Sequence, residues 1–193
     1  MKTLPRPANL GLFAAFAAMM VATRFHHFGD VLHLPDASMA LFFLGGLYLR
    51  KHWQFVSFIA LAVVIDWIAI EHAGVSDFCV TPAYSFLLPA YAVLWYGGRW
   101  YGPRLQMQWK SLAGAVVVAL LCASASFAIS NGAFYWLGGR YENPHMAQYL
   151  ARAWQWGPLF VRTTMTYIVV ALAIHAIAAS SLQLRAGRRP ADT

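Results

Sequence analysis

The sequence contains two cysteines, Cys79 and Cys122, and the first is its most informative residue. Cys79 lies in residues 76–82, whose sequence is SDFCVTP, between two apolar runs. Thr81 and Pro82 are typical of the N-cap and first residue of a helix. Because a helix N-terminus favours the thiolate, and thiolates bind soft or late transition metals, the segment suggests a metal ligand. The alternative is that Cys79 is a small buried hydrophobe, and the residues alone favour neither.

Two adjacent histidines, His26 and His27, lie in another segment between apolar runs. An imidazole is a common metal ligand, and a thiolate and an imidazole on different loops can approach a metal from opposite faces. The alternative is a pair of interfacial histidines that hydrogen-bond to lipid head groups or backbone.

Asp66 lies inside an apolar run, in the sequence VVIDWI. A carboxyl group at membrane depth is costly and usually faces a polar interior or a cavity. It is roughly 10 Å from the end of its predicted helix, at about 1.5 Å per residue, where it can form a pocket floor or an interhelical hydrogen bond. Arg152 and Arg162 are candidate partners. Tyr84 and Tyr91 lie seven residues apart and therefore share one face of a predicted helix. This face can form a pocket wall, or the two tyrosines can be ordinary packing residues.

The composition indicates the structure that positions these residues. The chain has 193 residues, of which 60% are hydrophobic and 11% charged, whereas a soluble domain carries about 25% charged residues. These values exclude an ordinary soluble fold and a disordered chain. They predict an all-α integral membrane protein, with residues 1–193 forming one domain of six transmembrane helices. The predicted spans are approximately residues 8–21, 37–49, 53–73, 82–96, 111–130 and 158–182.

The basic residues predict the topology. Ten of the fourteen Lys and Arg residues fall on the side that holds both termini, so both termini are expected in the cytoplasm. The net charge of +7 is therefore explained by topology, and nucleic acid is not an expected partner. The outer connections, residues 25–36, 74–82 and 131–156, are rich in aromatic and polar residues and are the expected binding face. The four outer basic residues are Arg24, Arg140, Arg152 and Arg162.

Other features of the sequence narrow the choice of chemistry. Ala14, Ala18 and Ala22 form a small-residue face on the first helix, where another helix can dock. Cys122 falls within the fifth predicted span and is interpreted as core packing. The sequence has no Cys-x-x-Cys pair, no Gly-x-Ser-x-Gly elbow and no phosphate-binding glycine loop with lysine. His175 is the one histidine in mid-span, whereas a di-histidine haem site needs a pair at depth.

With these features together, the chain resembles the substrate-binding S components of the energy-coupling factor (ECF) vitamin transporters. The shared features are size, six helices, cytoplasmic termini, an alanine-rich first helix and a binding site capped by outer loops. More narrowly, the chain resembles the BtuM family of proteobacterial cobalamin S components, through the single outer-loop cysteine in residues 76–82 and the His26-His27 loop.

The resemblance implies a transporter in the bacterial inner membrane that binds cobalamin (vitamin B12) or its precursor cobinamide from the periplasmic side. Cys79 becomes the axial cobalt ligand, and His27 is proposed for the opposite face. A cobalt-bound thiolate also suggests an ancillary removal of the upper ligand, such as cyanide. The helix-one alanines match the surface that docks a coupling subunit, which works with ATPases. The residues expected to hydrogen-bond the amides of the corrin are Asp66, Tyr84, Asn131 and Arg152.

Three other functions remain open at this point. One is an S component for another vitamin, or for cobalt or nickel ions. The second is a membrane haem or quinone oxidoreductase that depends on His175. The third is a sensory or assembly domain without a ligand, whose outer loops would tolerate mutation.

Overall fold

A computed structural model describes residues 5–25 and 34–187, and this part of the chain is helical. The described residues form six α-helices, which is the predicted number of helices. Three of them, α3, α5 and α6, are long and apolar enough to cross a membrane. The helices are α1 (Arg6–Phe25), α2 (Ser38–Tyr48), α3 (His52–Ala73), α4 (Leu87–Tyr101), α5 (Trp109–Leu137) and α6 (Met146–Gly187), and the short 3₁₀ helices are Asp77–Cys79, Pro82–Phe86 and Gly102–Arg104.

The centre of the bundle is α2, which has 11 residues, nine of them buried. A helix of this length rises roughly 16 Å, about half the hydrocarbon thickness of a bilayer, so α2 is too short to span a membrane alone. It packs against α1, α3, α4 and α6. The ring of Phe42 stacks on Tyr91 of α4, with centroids 4.1 Å apart and planes inclined by 11°. This core contact fixes α4 beside the polar cluster described below.

Glycines allow α2 and α4 to approach backbone to backbone. A Cβ atom at Gly46 would overlap the carbonyl oxygen of Trp95, and one at Gly98 would overlap the carbonyl oxygen of Phe43. Such close helix approach depends on small residues, as is common in membrane bundles. The contact between these two helices therefore requires glycine at both positions.

Replacing Gly46 by alanine is expected to lower the free energy of unfolding by roughly 1–3 kcal/mol, because the added methyl group must push the two backbones apart. Thermal or denaturant unfolding in detergent micelles measures this effect. Gly11→Ala is the matched control, since a Cβ at Gly11 of α1 meets nothing within 4 Å. Equal stabilities of the two variants would contradict the close-approach argument.

Two predicted helix boundaries are wrong at the far end of the chain. Residues 131–156 were expected to form an outer connection, but α5 continues to Leu137 and α6 begins at Met146. Pro158, the expected start of the sixth helix, lies inside α6. A proline in a helix interior loses one backbone hydrogen bond, which neighbouring groups can compensate in a membrane helix. The sequence therefore signalled a helix start where the helix continues.

The fourth helix has a different beginning from the predicted one. The side chain of Thr81 accepts a hydrogen bond from the backbone N–H of Ala83, which confirms Thr81 as a cap. The capped element is the 3₁₀ helix Pro82–Phe86, and α4 follows it from Leu87. This tight turn brings Tyr84 to the cavity described next.

Candidate functional site

A cavity of about 240 Å³, partly open to the surface, lies where α1, α3, α4, α5 and α6 meet the 74–86 segment. Its walls are mostly apolar, and its polar groups converge on one side, as is typical of ligand pockets. We call this end of the bundle the pocket end. The lining residues are Arg24, Asp36, Asp66, Ala69, Ile70, Val75, Ser76, Val80, Ala83, Tyr84, Leu87, Tyr91, Ser130, Phe134 and Phe160.

The polar side of the cavity is organised by Arg24, near the end of α1. Its Nε donates to Oδ1 of Asp66 at 2.7 Å, and its Nη2 donates to Oδ2 of the same residue at 2.6 Å. This bidentate geometry is the strong form of an arginine–carboxylate pair. The Arg24 side chain is only 8% exposed, so the pair is largely shielded from water.

The third guanidinium nitrogen of Arg24 binds a second group of acceptors. Nη1 donates to the hydroxyl of Tyr91 at 2.9 Å and to the hydroxyl of Ser38 at 3.1 Å, and it lies 3.5 Å from Oδ2 of Asp36. Asp36 is fixed from its other oxygen, because the backbone N–H and hydroxyl of Ser38 both donate to Oδ1. All three nitrogens of Arg24 therefore have acceptors within the protein.

Tyr84 joins the cluster from the 3₁₀ helix that precedes α4. Its hydroxyl donates to Oδ2 of Asp66 at 2.6 Å. The cluster therefore links α1, α3 and the segment that follows Cys79 through one carboxylate. Asp66, Tyr84 and Tyr91 all line this cavity. Their role in binding a ligand stays a prediction.

The cluster brings together one cation, Arg24, and two carboxylates, Asp36 and Asp66. Its hydrogen bonds use the donors of Arg24, whereas Asp36 and Asp66, which both line the cavity, are 24% and 20% exposed. A group that enters the cavity therefore meets an excess of acceptors over free donors. This arrangement suits a ligand that carries N–H groups.

Cys79 ends the 3₁₀ helix Asp77–Cys79, which is capped by the hydroxyl of Ser76 accepting from the backbone N–H of Phe78. Ser76 and Val80 both line the cavity, so the backbone of this turn borders it. Arg140 holds the turn from the α5–α6 connection, because its Nε donates to the carbonyl oxygen of Phe78 at 3.1 Å. The side chain of Cys79 and the whole of His27 lie outside the described residues.

Two predicted ligand-binding residues, Asn131 and Arg152, do not line this cavity. The Arg152 guanidinium lies over the ring of Tyr141, 4.9 Å from its centroid. Neither Oδ1 of Asn131 nor Nε of Arg152, both buried, has a hydrogen-bond partner. The suggestion that Arg152 or Arg162 pairs with Asp66 is wrong, because Asp66 pairs with Arg24.

Arg24 and Asp36 were not predicted as site residues. Arg24 was counted among the outer basic residues, beyond the first predicted span, yet it belongs to α1 and is buried. The available signal was an arginine at the end of one apolar run together with an aspartate inside another, since buried charges are normally paired. No local spacing relates them, because Arg24 and Asp66 are 42 residues apart.

A second cavity, of about 350 Å³, adjoins the first and shares Asp36, Leu87, Tyr91, Ser130 and Phe160 with it. Its remaining walls come largely from α6 and include Trp156, Leu159, Thr163 and Thr164. The apolar space of the pocket end thus continues from the Cys79 turn to α6.

The remaining candidates lie away from the cavity. Cys122 is a free thiol that packs against the core, where a Cβ at Gly97 would overlap its Sγ. Ala14, Ala18 and Ala22 are all exposed along α1. His175 stacks on Tyr48 of α2, with ring centroids 5.5 Å apart. Among the described side chains, no group of three His, Cys, Asp or Glu residues is placed to hold a metal ion.

No protein-family model matches this chain, and a comparison with curated proteins finds no match.

Proposed function

We propose that this chain is a membrane transporter subunit that binds cobalamin or cobinamide, as the S component of an ECF-type transporter. All six helices then lie in the bacterial inner membrane, with the pocket end facing the periplasm and both termini in the cytoplasm. The ligand enters from the periplasm and leaves to the cytoplasm. The three long apolar helices and the polar cluster at one end of the bundle support this proposal.

The observation that carries the proposal is the position of the cysteine turn. The residues on both sides of Asp77–Cys79 line the cavity, so a ligand there contacts the segment with the thiol. Cobalt in a corrin has four equatorial nitrogens and two axial positions, and a thiolate is a suitable soft axial ligand. In this proposal Cys79 takes one axial position and His27 the other.

The polar cluster supports binding of the corrin periphery, which carries primary amides. Asp66 and Tyr84 offer oxygen acceptors inside the cavity, and Arg24 holds Asp66 in place. A corrinoid is larger than either cavity, so it must extend outward through the mouth. Asn131 on α5 and Arg152 on α6 each have a buried polar atom without a hydrogen-bond partner. In this proposal they bind amides that extend beyond the cavity.

Any energy from nucleotide hydrolysis must come from a partner, since the sequence has no phosphate-binding glycine loop with lysine. In this proposal an ECF coupling subunit and its ATPases provide it, and the exposed alanine face Ala14, Ala18 and Ala22 is the docking surface. The small side chains permit close approach of a partner helix.

A second candidate function is an S component for a smaller vitamin. The observation in its favour is cavity size, because 240 and 350 Å³ suit a small ligand within the described walls. Cobalt or nickel ions alone are less favoured, because the described side chains include no cluster of metal ligands.

The test is binding of cyanocobalamin and cobinamide to the purified full chain in detergent, measured by calorimetry and visible absorption. Corrinoid binding with a changed spectrum supports the proposal. Absence of corrinoid binding would overturn it, and binding of a small vitamin instead would support the second candidate. A redox-active haem spectrum that depends on His175 would favour an oxidoreductase.

The ancillary activity predicts faster loss of cyanide from bound cyanocobalamin than from the free vitamin. A thiolate that coordinates cobalt donates electron density to it, so the cyanide opposite leaves with its electron pair and no net redox change occurs. Released cyanide and the visible spectrum report this exchange over time. Equal release rates for the parent protein and Cys79→Ala would show that the thiol has no part in it.

A further inference from the structure

The end of the bundle opposite the cavity carries a concentrated positive charge. We call it the basic end. Among the described residues no Asp or Glu lies there, and both ion pairs in the described part of the chain belong to the pocket end. The basic side chains come from the starts of α1, α3 and α5, the ends of α2 and α4, and the connections between them. They are Arg6, Arg50, Lys51, Arg99, Arg104 and Lys110.

Within this end, three basic side chains meet between α2, α3 and α4. Nη1 of Arg99 contacts the ring nitrogen Nε2 of His52, and Nδ1 of His52 lies 2.9 Å from the hydroxyl of Tyr96. Arg50 lies against Gly102, where a Cβ would meet its Nε and Nη2 atoms. Two arginines and a histidine thus share one small area without a carboxylate.

Arg50 occupies this position at an energetic cost. Its φ of 67° is left-handed, a conformation that non-glycine residues rarely adopt. Its Nε donates to the carbonyl oxygen of Leu47 at 3.3 Å, but its Nη2 is buried without a hydrogen-bond partner. Burial and then the charge of Arg99 lower the pKa of Arg50. A strained and unpaired cation beside a second cation indicates that an anion completes the site.

The surroundings indicate that this anion belongs to a lipid. Trp53, Tyr96 and Trp100 beside the cluster are 48%, 41% and 56% exposed. Trp and Tyr at a bundle end are typical of the membrane interface. The exposed ring of Tyr96 packs on the buried ring of Phe55 across α3 and α4, with centroids 5.8 Å apart, and so presents an apolar face next to the cations. A free phosphate has no apolar group to contact these rings. A phospholipid can place its phosphate on the cations and its acyl chains on the rings.

We propose that the basic end binds the phosphate of an anionic phospholipid between Arg50 and Arg99, beside His52, with its glycerol and upper acyl chains against Trp53 and Tyr96. Basic pockets between helices on the cytoplasmic side are suited to anionic head groups. The inference depends on membrane insertion and not on the identity of the transported ligand.

The first experiment compares thermal unfolding of the delipidated full chain in a nonionic detergent with three additions. These are dioleoyl phosphatidylglycerol, dioleoyl phosphatidylcholine and inorganic phosphate. Phosphatidylglycerol is expected to raise the Tm by on the order of 5 °C at saturation, with little change from the other two. An equal shift from phosphatidylcholine would overturn the headgroup assignment, and an equal shift from inorganic phosphate would overturn the lipid.

The second experiment tests the residues. Arg99→Gln and Arg50→Gln should each abolish most of the phosphatidylglycerol shift, whereas Arg140→Gln at the pocket end, the control, should keep it. If either variant folds poorly, native mass spectrometry of Arg99→Lys and the parent protein counts retained phosphatidylglycerol directly. The site would be refuted if the parent protein retained no more phosphatidylglycerol than phosphatidylcholine. It would also be refuted if phosphatidylglycerol raised the Tm of both glutamine variants as much as that of the parent protein. Corrinoid binding is measured separately, so failure here is distinguishable from failure of the proposed function.

Discussion

Replacing Cys79 by alanine is expected to weaken cobinamide binding by tenfold or more and to change the visible spectrum of the bound corrinoid. The reason is the loss of an axial cobalt–thiolate bond. Tenfold corresponds to about 1.4 kcal/mol, a modest fraction of what one coordination bond can contribute. Calorimetry and visible spectroscopy on the purified full chain measure both effects.

The two corrinoids make this prediction sharper. Cobalamin carries its own lower base, which can occupy the axial position that the thiol leaves empty, whereas cobinamide lacks this base. The affinity loss in Cys79→Ala should therefore be larger for cobinamide than for cobalamin. If the two losses are equal, Cys79 acts by shaping the turn and not by ligating cobalt.

The control for this experiment is Cys122→Ala. Cys122 is the other cysteine, and it packs against the core within α5, beside Gly97. The Cys122→Ala variant should keep the corrinoid affinity and the visible spectrum of the parent protein, although the substitution removes a packed side chain. Unchanged affinity and spectrum in Cys79→Ala would contradict the role of the thiol as a ligand.

Apolar runs predicted the helices well, because a membrane helix must satisfy its backbone internally and so shows a continuous hydrophobic signal. The third helix was predicted at residues 53–73 and lies at His52–Ala73. The signal failed at polar helix ends. The first three turns of α6 contain Gln148, Arg152 and Gln155, so their composition is that of a loop although their conformation is helical.

The candidate site was predicted in part. The part that was not predicted depends on tertiary contacts between helices. Asp66 could be found because a carboxyl group inside an apolar run is unusual by itself. Tyr84 and Tyr91 could be found from their seven-residue spacing, although Tyr84 lies on the 3₁₀ helix before α4. Their partner could not, because nothing local distinguishes Arg24 from Arg152 or Arg162 as the arginine that meets Asp66. That choice depends on α1 packing against α3, which no sequence period encodes.

The largest stability effect is expected from Arg24→Met. Removing one member of a buried pair leaves the other charge uncompensated, which typically costs about 3–5 kcal/mol, against at most about 1 kcal/mol for an exposed pair. Asp66 and Asp36 would then face each other across the cavity with no cation between them. Denaturant unfolding in micelles measures the loss, and a loss near that of an exposed pair would contradict the importance of burial.

A double variant separates charge compensation from ligand binding. Arg24→Met with Asp66→Leu removes the cation together with its bidentate partner, so it should be more stable than Arg24→Met alone. With the Asp66→Leu single variant added, the four stabilities complete a cycle that measures the coupling between the two residues. The same double variant removes the Asp66 carboxylate, which accepts a hydrogen bond from the Tyr84 hydroxyl. We propose that this carboxylate also accepts hydrogen bonds from the corrin amides. The double variant should therefore fold and yet bind cobinamide more weakly than the parent protein. If it recovered both stability and affinity, the cluster would serve packing alone. If it recovered stability without affinity, the carboxylate is retained at this depth because the ligand needs it.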